Sequence, residues 1–128
     1  MPELWSVHAT EDACGIAMRA SRSGRVAADE VFVAGRIPPD IRTAIGRVDP
    51  DALIRAADDG WEEIRLEREE AERVWPRLSE LELPASGYLQ GAFAGLGVRV
   101  FAGADAVSLF VRPTVAAHVR RRIEVERG

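Results

Sequence analysis

The side chains of this sequence that could do chemistry are few. Its 128 residues hold two histidines, one cysteine and seventeen basic residues, every one of them arginine. Several lie in "HATEDACGIAMRASRSGR", residues 8–25, which contains His8, Cys14, Arg19, Arg22 and Arg25. His8, Cys14 and His118 could meet as metal ligands or as a Cys–His pair. A zinc site needs three or four such ligands, supplied as a rule from paired local spacings. His8 and Cys14 are six apart, and no CxxC, HxxxH or HExxH occurs, so no metal site is expected. Cysteine in a core behaves as a small hydrophobe, which is the reading adopted for Cys14. His8, at a strand end, is the candidate for acid–base catalysis.

The arginines mean different things in different elements. On a helix, Arg19 and Arg22 share a face near the C-terminus, where cations suit the helix dipole without any ligand. On a hairpin, Arg19 could point into a cleft beside the turn. The segment "MRASRSG" (18–24) resembles the N-terminal strand and turn of 6-carboxyhexanoate–CoA ligases. The resemblance covers seven residues. That family continues with a histidine and a Ser-Gly-Ala-Glu run, where this chain reads "RVAADE". It implies an anion-contacting Arg19 and, as a weaker alternative, a fragment related to an acyl-CoA ligase.

A second region with chemical potential is "GYLQGAFAGLGVRVFAG" (87–103), with five glycines. Glycine lets backbone approach a phosphate closely. The glycines precede a strand, the reverse of the strand–loop–helix order of dinucleotide sites, so no nucleotide cofactor is expected. The expectation here is a small-residue helix packed on a sheet or on another subunit. Tyr88 and Gln90 are the sole Tyr and Gln of the chain and could orient a ligand in an apolar pocket, with Arg99 as its cation.

Composition narrows the function classes. Without lysine, Schiff-base chemistry and a P-loop lysine are excluded. Any charge contact with a phosphate or carboxylate must use arginine, whose planar fork favours bidentate recognition. The lack of both Lys and Asn fits a GC-rich genome. A net charge of −4 argues against a dedicated nucleic-acid binder, although Arg120–Arg122 form a local basic patch that could touch RNA or an acidic partner. The single cysteine, the N-terminus without signal-peptide character and the absence of a long uncharged apolar run lead to the expectation of a cytoplasmic protein with no membrane span.

Positioning these side chains requires a scaffold. Strands are expected at 4–9, 29–35, 61–67, 98–103 and 107–113. Helices are expected at 11–23, 39–46, 49–60, 67–81 and 114–128, with Pro76 kinking or dividing the fourth. A hairpin about "RSGR" competes with the first helix, and "RIEVE" could close the chain as a strand instead. The fold expected is α+β: one domain over 1–128, a two-layer sandwich with a mixed sheet of about five strands and helices mainly on one face. Two functional readings compete. One is a binding domain for an anionic small metabolite through arginine and a Gly-rich apolar pocket, homo-oligomeric through its apolar 87–111 region. The other is a small acid–base enzyme using His8 with Tyr88 and Gln90.

Overall fold

A computed structural model describes residues 3–127 and divides the chain into two compact units, 1–59 and 60–128. Each has its own sheet and its own helices.

The first unit runs β1 (Leu4–His8), α1 (Glu11–Ala17), β2 (Ser23–Ala27), β3 (Glu30–Ala34), α2 (Pro39–Val48) and β4 (Leu53–Ala56). Its strands pair antiparallel in the order β2-β3-β1-β4. This is the βαββαβ order of the ferredoxin-like motif. Thr10 caps α1, its Oγ1 accepting from the Ala13 N–H at 3.3 Å, as its residue type leads one to expect. The helix stops at Ala17 rather than at 23. Arg19 and Arg22 then lie in the turn that feeds β2, and the hairpin forms one step later, between β2 and β3. Ala13, Cys14 and Ala17 of α1 pack with Ile45 of α2 against Val7, Val31 and Val33 of the sheet.

The helix expected at 49–60 is not formed. Asp49 and Pro50, read there as an N-cap and first helical residue, belong to the turn after α2. The Asp49 carboxylate accepts from the N–H groups of Thr10 at 3.0 Å and Asp51 at 3.0 Å. Leu53–Ala56 instead pairs with β1, so a free edge of the sheet overrides local helix propensity.

The second unit holds β5 (Glu62–Glu67), α3 (Arg68–Leu78), β6 (Gly87–Phe93), β7 (Leu96–Ala102), β8 (Ala106–Val111) and α4 (Ala116–Arg127). Its sheet order is β5-β8-β7-β6, again antiparallel. Ile64, Leu66, Val98, Val100, Val107, Leu109 and Val111 alternate onto one face, where Ala71, Val74, Trp75 and Leu78 of α3 and Val119 and Ile123 of α4 cover them. Pro76 lies within α3 without dividing it: it withdraws the donor from the Glu72 carbonyl alone, and the helix ends two residues later at Leu78. The closing residues are helix, not strand.

The segment 87–97, expected as a small-residue helix, is a β-hairpin. Ala94 (φ 54°) and Gly95 (φ 79°) are the two central residues of its turn, and Phe93 pairs with Leu96. Two consecutive positive φ values give the primed turn whose twist suits a two-residue hairpin. The α+β class therefore stands, but the single mixed sheet of about five strands is replaced by two four-stranded antiparallel sheets with four α-helices.

Candidate functional site

Alternation along the second sheet places the chemically interesting residues on the face opposite α3 and α4. Val98 and Val100 take the helix side of β7, so Arg99 and Phe101 take the other. Register lines Gln90, Arg99 and Phe110 across three strands, with Tyr88, Phe101 and Ser108 in the next row. Tyr88 donates its hydroxyl to Gln90 Oε1 at 2.7 Å. Its ring sits 5.2 Å from Phe101, which meets Phe110 edge-on at 6.0 Å.

Two further residues complete this cluster. Trp61 immediately precedes β5 and Arg112 immediately follows β8, and the pairing of Glu62 with Val111 brings the two ends together. The Arg99 guanidinium carbon lies 4.4 Å from the Trp61 ring centroid and that of Arg112 lies 4.0 Å from it. Arg112 also donates to the Gly60 carbonyl at 3.0 Å. Stacking on an indole holds a guanidinium by its face and orients its N–H edge, the geometry that suits a planar carboxylate. The structure thus brings together Tyr88, Gln90 and Arg99 and adds Trp61 and Arg112, which residue type alone does not single out. The available signal was the alternation of "VRVF" and "FVRP", which sends both arginines to one face once the segments are known to be neighbours.

The other candidate residues belong to other elements. His8 ends β1 in the first unit, its side chain 47% exposed, with Nε2 3.9 Å from Glu30 Oε2 across the ladder. Arg19 is exposed in the turn after α1, and its backbone N–H donates to Ile16 O at 3.0 Å. Cys14 is fully buried, its thiol donating to Ala9 O at 3.6 Å. Burial pushes that thiol above its ordinary range, against the opposing pull of Arg25. Arg120 pairs with Glu62 and donates to Glu63 O at 3.4 Å, so the basic patch 120–122 spends part of its charge within the fold. Among the described residues no three His, Cys, Asp or Glu side chains come together to hold a metal ion. No described helix is long and apolar enough to cross a membrane.

Two openings accompany α3 and α4 in the second unit. A cleft of about 280 Å³ lies beside β5, between Ile64, Leu66, Ile123 and the side chains of Arg65, Arg120 and Arg127. A larger open groove of about 730 Å³ runs along α3 past Trp75 and Pro76 to Leu81 and Leu83.

No protein-family model matches the sequence, and no curated protein does. The fold is similar to that of a chain of the heterotetrameric sarcosine oxidase from Corynebacterium sp. U-96, solved in complex with pyrrole 2-carboxylate. The TM-score is 0.73 at 12% identity, over 97% of this chain and 78% of that one. At that identity the likeness is one of fold.

Proposed function

We propose that this chain is an accessory subunit of a hetero-oligomeric assembly, in place of the self-association expected from its apolar stretch. The supporting observation is the fold likeness to a chain of a heterotetrameric enzyme over 97% of the present sequence. The test is the native mass of the complex purified from the source cells through a tag on this chain. A stoichiometric complex with unlike chains supports the proposal. Recovery as a monomer or homo-oligomer alone refutes it.

A second reading concerns the ligand. Arg99 and Arg112 on the Trp61 ring, with the Tyr88–Gln90 pair one strand away, favour a small anionic molecule bound through a carboxylate. Two cationic forks and one hydrogen-bonded amide suit recognition of such a group, and Glu63, which pairs with Phe110, extends the same row on β5. Thermal stability measured against a panel of small carboxylates and phosphates tests this reading. A saturable rise with one class supports it, and indifference to every anion removes it.

A further inference from the structure

We infer that the groove along α3 is a docking site for a basic, aliphatic segment of a partner chain; this rests on the hetero-oligomeric reading. The floor is Trp75, 3% exposed, whose indole meets the tilted Phe93 ring at a centroid distance of 5.0 Å and donates Nε1–H to Leu81 O at 2.8 Å. Pro76 forms the helix wall and Leu81 and Leu83 the opposite one. Leu81 remains 37% exposed, so apolar surface is left for an occupant to cover.

The charge around that apolar floor is one-sided. Glu72, Glu80 and Glu82 line the groove, with Arg68 as the sole cation among its lining residues. Arg68 is already engaged: its Nε donates to Glu72 at 2.8 Å, and its Nη1 donates to Pro84 O at 2.9 Å. Arg68 is thus a strut between α3 and the following loop. Glu80 and Glu82 form no ion pair among the described residues. The occupant's side of the contact must therefore carry positive charge.

The backbone adds an independent demand. Pro76 has no N–H, so the Glu72 carbonyl loses its regular helical donor four residues on. Both residues line the groove. An arriving ammonium or guanidinium supplies the donor as well as the charge, while aliphatic neighbours pack on Leu81 and Leu83. The opening runs along the helix and is open to solvent, which suits an extended chain more than an enclosed metabolite.

The test uses the full chain and a fluorescent set of twelve-residue peptides in which Leu content and Arg content are varied independently, read by anisotropy. The expected result is binding that requires both residue types and weakens at least tenfold in Glu80→Gln/Glu82→Gln, with unchanged circular dichroism. Absence of binding by every peptide, binding indifferent to Arg content, or full binding by the double variant overturns the inference. The same double variant is then tagged and purified from source cells. If wild type assembles with unlike chains and the variant does so equally well, the groove assignment fails and the assembly reading stands. If wild type does not assemble, the assembly reading fails, and the peptide set alone decides the groove.

Discussion

The Arg112 guanidinium carbon stands 4.0 Å above the Trp61 ring centroid, although the two residues flank different strands and are separated by most of the second unit. The contact exists because β5 and β8 are antiparallel neighbours whose paired residues Glu62 and Val111 bring these ends together. Arg99 joins the same ring from β7. One aromatic side chain thereby gathers two guanidiniums.

Replacing that ring should cost stability first. Trp61→Leu removes two cation–π contacts, each worth about 0.5–1 kcal/mol when exposed and more when desolvated. The expected loss is roughly 1–2 kcal/mol in urea unfolding with an unchanged m-value. A change within error of zero would show that the two arginines hold their positions without the ring.

Removing a cation while keeping the ring separates ligand binding from folding. Arg99→Gln and Arg112→Gln should each abolish most of the thermal stabilisation given by a carboxylate ligand. At a hundredfold excess over Kd that stabilisation amounts to about 2.7 kcal/mol in the wild type. Retention of the full shift in both variants contradicts the anion reading.

Much of the scaffold is legible in the sequence where local signals agree with tertiary demands. Thr10 as a cap, the apolar stripe of 67–81 and the alternation of "WEEIRLE" all lead to the observed elements. The failures share a cause. Residues 53–56 carry helix-compatible side chains, yet they complete a sheet edge whose pairing strand is β1, far back in the sequence. The 87–97 hairpin lacks the Asn-Gly signal because the chain contains no asparagine; Ala94-Gly95 takes its place, with an alanine at positive φ. Tyr88, Gln90 and Arg99 could be singled out by residue type. Trp61 and Arg112 could not, because their meeting depends on strand order.

Cys14 gives a pH-dependent prediction whose sign follows from its burial. Its folded-state pKa is raised, so the native state holds the thiol proton more tightly than the unfolded chain. The associated stability is fully present below the ordinary thiol range and falls as pH rises through it toward the folded value. Cys14→Ala should therefore lose less stability than wild type between neutral and alkaline pH, as read by urea unfolding. Equal pH slopes would contradict the assigned burial effect. A thiol reagent should label the native protein slowly and the denatured chain fast.

Gly91 and Leu81 form a steric pair. A Cβ built on Gly91 collides with Leu81 Cδ1, the side chain that walls the α3 groove. Gly91→Ala should destabilise by about 1–3 kcal/mol, because side chains rarely adopt its φ of 156° and because Leu81 must move aside. Adding Leu81→Ala should recover part of that loss in a double-mutant cycle. Strict additivity of the two changes would place Leu81 elsewhere than over Gly91.

The assembly claim is tested most directly by native mass spectrometry of the complex that carries this chain at its natural expression level. The account predicts a discrete species in which one or more copies of the 128-residue chain are bound to unlike chains at fixed stoichiometry. A spectrum containing the chain only as monomer, or only with copies of itself, would contradict it.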